Sequence, residues 1–428
     1  MYFFYSILLV IALAVLLPRF IYDALMKGKY AANFRARLGG IPDFDSKAKK
    51  VVWLHCVSVG ETQAARPLVD ELLKKIPDIA LVISTTTITG QKVAQDVFGK
   101  DAAAVFYFPL DFAWTIRRAL NRVNPSLVLI METELWPRFL HECDRRKIPV
   151  AIVNGRLSKK SMRGYRLIKP FIKRVVGNLS LALMQSETDA KRMHSLGVQR
   201  EKIFVTGNIK YDAQEDESEQ ILTEKFRVRF GFNEERPLIV AASTHAKEES
   251  FLIEALAKLS NNPRLLIAPR HPERFNEVAD IIASTKFSWT RRTNAQNESD
   301  KTCDIVLLDS IGELRAVYPL ARIVFVGGSL IRKGGHNVLE PAAAGVCVVT
   351  GKHTANFAAI VKDFMAANAL VQLSNVNESD LAMTLQKLLS DSETRSSLAK
   401  NAKDVFEKNR GATKRTIEKL IEMAETRA

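Results

Sequence analysis

The sequence predicts an α/β protein made of two doubly wound parallel sheets behind an apolar amino-terminal helix. Three observations carry that expectation. Short apolar, β-branched runs alternate with longer amphipathic stretches through most of the chain. The alternation pauses at a polar, acidic stretch, DAQEDESE at 212–219, and then restarts. The first 18 residues carry no charged side chain.

Within YFFYSILLVIALAVLL only Ser6 is clearly polar. The run sits at the short end of the roughly 17–25 residues needed to span a bilayer. Its basic residues come afterwards: Arg19, Lys27, Lys29, Arg35 and Arg37, against a single Asp23. A cleaved signal peptide wants positive charge before the apolar run. An uncleaved single anchor is therefore expected, with the following domain on the cytoplasmic side. A monotopic helix dipping into one leaflet is the competing reading. Residues 19–38 are expected to form an interfacial helix on anionic headgroups.

After Gly39-Gly40-Ile41-Pro42 the first alternation begins. Its strands are expected at 51–57, 80–84, 103–108, 126–131, 149–153, 181–184 and 203–205, with helices such as 62–75 and 135–147 between them. The second alternation has strands at 238–242, 264–268, 305–308, 323–326, 346–350 and 369–373. The tail from Ser392 reads as helix, with Leu398, Ala402, Val405 and Phe406 on one face and a break at Gly411. The expected division is therefore 1–38 anchor and interfacial helix, 39–211 first domain, 212–235 linker, 236–408 second domain and 409–428 final helix. Ligands of such sheets bind beyond the carboxyl ends of the strands. Two such domains face to face make a cleft for two substrates.

The chain has 428 residues, enough for two to three domains. Apolar residues make up 47% and charged residues 25%, which argues against wholesale disorder and against a polytopic membrane protein. Lys plus Arg is 62 against 47 for Asp plus Glu, a net charge of +15 that favours anionic partners. A nucleic-acid binder would interleave aromatics with a basic stripe. Here aromatics are 8% and the basic residues are dispersed, so no nucleic-acid partner is expected. Cys56, Cys143, Cys303 and Cys347 lie far apart without a CxxC, and no HExxH occurs. Neither a disulfide framework nor a metal site is expected.

The strand-end loops carry the candidate chemistry. The first strand runs into WLHCVSVGETQ, where Glu61 stands at the strand-to-helix edge and could take a proton from a hydroxyl. Ser58-x-x-Glu61 equally matches a capping box. The fourth runs into IMETELWP, where Glu132 and Glu134 could orient an acceptor or complement a helix dipole. In MQSETDAKRM, Ser186 reads as a plain N-cap. In VAASTHAKEE, Ser243 and Thr244 suit a phosphate or cap a helix. Arg270, held between Pro269 and His271-Pro272, suggests an oxyanion to bind. The richest segment is FVGGSLIRKGGHNVLEPAAAG, residues 325–345. Gly327, Gly328 and Ser329 allow close backbone approach, Gly335 precedes Asn337 as an apparent N-cap, and Glu340 lies one turn in, able to reach a ribose or to act as a capping partner. The spacing is neither a P-loop nor GxGxxG.

In this order along one chain, HCVSVGE, METELWP, NGRLS, MQSETDAKR, GNIKYD, PRHPER, GGS and GGHNVLEP make the sequence similar to the 3-deoxy-D-manno-octulosonic acid (Kdo) transferases. The resemblance covers nearly the whole chain. It implies a GT-B glycosyltransferase: two Rossmann-like domains facing a central cleft, with CMP-Kdo as donor and the lipid A precursor lipid IVA as acceptor. It implies inversion at the anomeric centre, no cofactor, and residence at the cell inner membrane among its anionic lipids. Glu61 matches the family's base and the carboxylates Glu132 and Glu134 its second acidic position. Ser243, Thr244, Arg270, His271, Gly327, Gly328, Ser329, Gly335, Asn337 and Glu340 fall at the donor side, with Arg270 on the CMP phosphate. Two positions depart from the pattern: Cys56 replaces an alanine, and Val338 stands where proline often follows the asparagine. Another membrane-associated GT-B enzyme using a UDP-sugar is the nearest alternative. A non-catalytic tethered binding protein is a further one.

Overall fold

The computed structural model describes the chain apart from residues 28–33, 47–48, 213–216, 261 and 427–428. The described chain forms two compact units, Met1–Asp212 with Arg410–Ala428, and Ala213–Asn409. Each is built on a seven-stranded, all-parallel sheet with helical crossovers.

In the first unit the strands are β1 (Lys50–Cys56), β2 (Ile79–Thr85), β3 (Ala104–Tyr107), β4 (Leu127–Met131), β5 (Val150–Gly155), β6 (Leu181–Met184) and β7 (Ile203–Val205). Their order is β3-β2-β1-β4-β5-β6-β7, so the winding reverses between β1 and β4, with Val52 opposite Leu127. Both sheet faces are covered, which is why these strands read as continuous apolar runs. Alternate residues separate cleanly. Val51 and Trp53 join one core with Val82, Val128, Ile130 and Ile152. Val52, Leu54 and Cys56 join the other with Leu81, Ile83, Leu129 and Val153.

That second core also takes Ala412, Ile417 and Leu420 from the last helix, Ala412–Glu425. Gly411, at φ 84°, breaks it from the helix Ser392–Asn409 of the other unit. The Asp212 carboxylate then receives the amides of Gly411 and Thr413 at 2.6 and 2.5 Å, capping the final helix onto the first unit.

The amino-terminal helix runs Tyr2–Lys27. Its first turn docks on the first unit: the Tyr5 hydroxyl donates to Asp111 at 2.9 Å, and the Tyr2 ring stacks on His141 at 4.1 Å. Phe3, Phe4, Leu8, Ile11 and Val15 are exposed. Among the described residues no helix is long and apolar enough to cross a membrane, so the spanning form of the anchor gains no support. Of the expected interfacial helix, residues 28–33 lie outside the described residues, and a short helix follows at Phe34–Arg37.

The second unit has β8 (Leu238–Thr244), β9 (Arg264–Pro269), β10 (Trp289–Arg291), β11 (Ile305–Leu307), β12 (Ile323–Val326), β13 (Cys347–Thr350) and β14 (Val371–Gln372). Their order is β10-β11-β9-β8-β12-β13-β14, with the reversal between β8 and β12. The stretch read as a linker holds the helix Glu217–Phe230, whose Phe226 and Phe230 are buried. Its charged, weakly periodic sequence hides two aromatic anchors. All four cysteines are buried and free.

Candidate functional site

Both candidate sites stand at the switch points, where the strands diverge and leave a crevice. In the first unit Glu61 follows β1, in the short helix Val59–Ala64. Ser58 caps that helix. The Ser58 hydroxyl donates to Glu61 Oε1 at 3.0 Å, and the Val57 amide donates to Glu61 Oε2 at 2.8 Å. The Ser58 hydroxyl also accepts the Glu61 amide at 3.4 Å. The carboxylate takes the Val57 amide and not that of Ser58, so only half of a capping box is formed and the carboxylate is fixed with one bond on each oxygen.

Glu61 is only 8% exposed. Burial pushes its pKa up to about 7, against the two hydrogen bonds, and the negative charges of Glu132 and then Glu134 push the same way. A carboxyl tuned to near neutrality is what a general base at working pH requires.

Glu132 directly follows β4 in a left-handed conformation, φ 53°, which is costly for a side-chain-bearing residue. Its Oε2 lies 3.2 Å from Arg156 and its Oε1 3.3 Å from Lys210. The Arg156 amide donates to Thr133 Oγ1 at 3.0 Å, tightening the same loop. The helix-dipole reading of Glu132 and Glu134 does not hold. The next helix starts at Pro137, and neither acid stands in its first turn. Glu134 has its pKa raised by burial and by Glu132. The Tyr165 hydroxyl is raised by burial and then by Glu134, so the helix Lys159–Leu167 flanks the acids. The structure therefore gathers Glu61, Glu132 and Glu134 at one switch point. Ser186 is an N-cap, accepting the Asp189 amide at 3.2 Å.

In the second unit the turn after β8 meets the turn after β12. A Cβ on Gly327 would lie 2.6 Å from the Ser243 carbonyl, so only glycine allows that approach. Ser243 is left-handed at φ 56°, and the buried Thr244 hydroxyl has no partner among the described residues. The Arg270 amide donates to the Thr244 carbonyl at 2.9 Å, bringing exposed Arg270 and His271 beside this turn. The Gly335 amide donates to the Gly328 carbonyl at 2.8 Å.

Glu248 is a residue that sequence reading missed. Its carboxylate receives the amides of Gly328, Ser329 and Leu330 at 2.7, 3.0 and 2.9 Å, and that of His245 at 3.0 Å. The amides expected to cradle an external anion at Gly328 and Ser329 are thus filled from within the protein. The Ser329 hydroxyl is also committed, donating to the Val326 carbonyl and accepting the Gly351 amide at 2.8 Å. These residues shape the loop. The only signal for Glu248 is its spacing three residues after His245.

His245 and His336 stack, with their Nε2 atoms 2.8 Å apart. One ring must donate and the other accept, so the accepting ring carries no proton on Nε2. Burial pushes both pKa values down to about 4, with neighbouring His271 and Arg270 adding to it. Asn337 is not the N-cap of the helix Leu339–Ala343, which begins after Val338. Its Oδ1 still takes the Leu339 amide at 3.1 Å, and its amide group donates to Glu340 at 3.0 Å. Burial raises the Glu340 pKa. Among the described residues no three His, Cys, Asp or Glu side chains converge as a metal site requires.

Residues 32–213 match the family described as 3-deoxy-D-manno-octulosonic-acid transferase (kdotransferase), and residues 223–405 match glycosyl transferases group 1. A 3-deoxy-D-manno-octulosonic acid transferase of Haemophilus influenzae is 36% identical over 98% of this chain and 97% of its own length. The chain belongs to the Kdo transferase family. Another such transferase, from Bordetella pertussis, is 32% identical over 86% of both chains. Family membership makes this an enzyme of the glycosyltransferase class, with Kdo transfer in lipopolysaccharide biosynthesis as its work. The fold agrees with that class. A UDP-GlcNAc 2-epimerase from Neisseria meningitidis, 15% identical, superimposes with a TM-score of 0.58 over 87% of this chain and 100% of its own. A glycosyltransferase from Rickettsia africae, 14% identical, gives 0.55 over 88% and 98%. The two Rossmann-like parallel sheets thus make a GT-B-like glycosyltransferase fold.

Proposed function

We propose that this enzyme transfers Kdo from CMP-Kdo to lipid IVA with inversion, and that Glu61 is the general base. The observation that carries the reading is the buried Glu61 carboxyl, its pKa raised to about 7, fixed by Val57 and Ser58 at the switch point of the first sheet. An acceptor hydroxyl gives its proton to Glu61 as its oxygen attacks the anomeric carbon of Kdo. The bond from that carbon to the phosphate oxygen breaks, and CMP departs. Glu132, pinned by Arg156 and Lys210, and Glu134 orient the acceptor.

Arg270 neutralises the phosphate as it leaves, beside Ser243, Thr244, His271 and Gly335. Asn337 and Glu340 contact the nucleotide. Gly327, at its close approach to Ser243, and Gly328 and Ser329, locked by Glu248, hold the shape of that pocket.

The enzyme works at the cytoplasmic face of the inner membrane. Two turns of exposed apolar side chains from Phe3 to Ile11 support a helix lying in one leaflet, because Tyr2 and Tyr5 tie its other side to the protein. The test is transfer by the purified full chain with CMP-Kdo and lipid IVA, products resolved by mass. A product heavier by Kdo, and inhibition by CMP but not UDP, are expected. Transfer from a UDP-sugar instead would overturn the donor.

A further inference from the structure

Between the helices Lys159–Leu167 and Glu187–Leu196 of the first unit lies a cleft of about 460 Å³. Arg163, Arg166, Lys191 and Arg192 line it with Thr188 and Ser195, and no acidic side chain does. Arg192 is partly engaged, donating to the Leu157 carbonyl at 2.5 Å and lying 3.5 Å from Asp189. Among the described residues Arg163, Arg166 and Lys191 have no acidic partner. Three unpaired cations converging on one concavity repel each other, and an anion relieves that cost. Two guanidinium groups with hydroxyls beside them suit the several oxygens of a phosphomonoester.

Two further features narrow the ligand. Directly after Arg166, Leu167 is 87% and Ile168 50% exposed. An apolar step beside a cationic cleft fits an amphiphile with a phosphorylated head. The same helix also presents Tyr165 to Glu134, while Arg163 and Arg166 face the cleft. One helix therefore connects the acidic switch point to the cationic cleft.

We propose that this cleft is the subsite for a phosphate of the acceptor glycolipid, and that Arg163, Arg166 and Lys191 set specificity for a phosphorylated acceptor. The inference rests on the acceptor reading given under Proposed function and deepens it. The phosphate held at the cleft would anchor the acceptor on the first unit.

The test compares the full-length enzyme with the triple variant Arg163→Gln/Arg166→Gln/Lys191→Gln. Initial rates are measured with lipid IVA and with each of its two monodephosphorylated forms, in detergent micelles. The three side chains are solvent-facing, and circular dichroism checks that the variant folds. The variant's KM for lipid IVA should rise at least about tenfold, the loss of a charge-assisted contact. Its kcat should stay within about twofold, as for binding that is equal in ground and transition states. For the one acceptor that lacks the phosphate held here, wild type and variant should have the same KM. Arg163→Lys/Arg166→Lys should recover part of the loss. An unchanged KM for lipid IVA, or an equal rise for all three acceptors, overturns the proposal. So does an equal loss of binding to phosphatidylglycerol vesicles without acceptor, which would make the cleft a bulk-lipid contact. If wild type transfers nothing to lipid IVA, the acceptor reading has failed separately. Lipid IVA binding by wild type and variant then still decides the cleft: weaker in the variant supports it, equal refutes it.

Discussion

Lys210 Nζ lies 3.3 Å from Glu132 Oε1. That contact ties the loop after β7 to the loop after β4, across 78 positions of sequence. With Arg156 on the other oxygen, it holds a negative charge beside Glu61 in a backbone conformation that is otherwise unfavourable. The acids at this switch point act on one another, and their coupling can be measured.

Glu132 raises the Glu61 pKa, so removing its charge must lower it. In Glu132→Gln the Glu61 carboxyl should titrate below the wild-type midpoint of about 7. Carbon-13 NMR of labelled glutamate reads this directly. A midpoint that stays put or rises would contradict the coupling.

A raised carboxyl pKa also costs stability. The unfolded chain loses the Glu61 proton near pH 4.5 and the folded protein near 7. The penalty is therefore nearly absent below pH 4.5, grows between these values and is constant above 7. Glu61→Gln, which cannot ionise, should be more stable than wild type at pH 8 by up to about 3 kcal/mol, because a tenfold change in proton affinity is worth about 1.36 kcal/mol. At pH 4 the advantage should vanish. Denaturant melts at the two pH values check it, and an advantage larger at pH 4 would be the wrong sign.

Glu248 holds four backbone amides of the second unit. Glu248→Ala leaves these donors without their partner, and an unpaired buried donor costs about 1–3 kcal/mol. A loss of at least about 2 kcal/mol, or roughly 4–8 °C in thermal midpoint for a domain of this size, is expected. An unshifted melt would show that the carboxylate is dispensable.

Much of this was legible in the sequence. The strand runs are apolar on both faces, and that pattern survives without context. What failed was weak or nonlocal. The strand β10 has three residues, of which only Thr290 is buried, so it leaves no periodic trace. The helix expected over 62–75 is two, because Pro67 opens the second at Arg66–Lys75. At the site, Glu61 and the METE acids announce themselves by position at strand ends. Lys210, Glu248 and the His245–His336 pair do not, since each acquires its role from a partner about 80 or more positions away.

Arg270 is exposed and its guanidinium makes no hydrogen bond or ion pair among the described residues. Arg270→Ala should thus leave the melting temperature unchanged while weakening CMP binding about tenfold, the worth of one charge-assisted contact. Calorimetric titration with CMP measures it, and unaltered affinity would remove Arg270 from the donor site.

In the proposed reaction the Glu61 carboxylate takes the acceptor proton. The most direct measurement is kcat/KM for Kdo transfer from pH 5.5 to 9 in wild type and Glu61→Ala. Wild type should rise with unit slope to a plateau through about pH 7, where Glu61 ionises. Glu61→Ala should fold, fall at least ~100-fold below that plateau, and lose the rising limb. Turnover near wild type in the variant, or the same limb at the same pH, would contradict it.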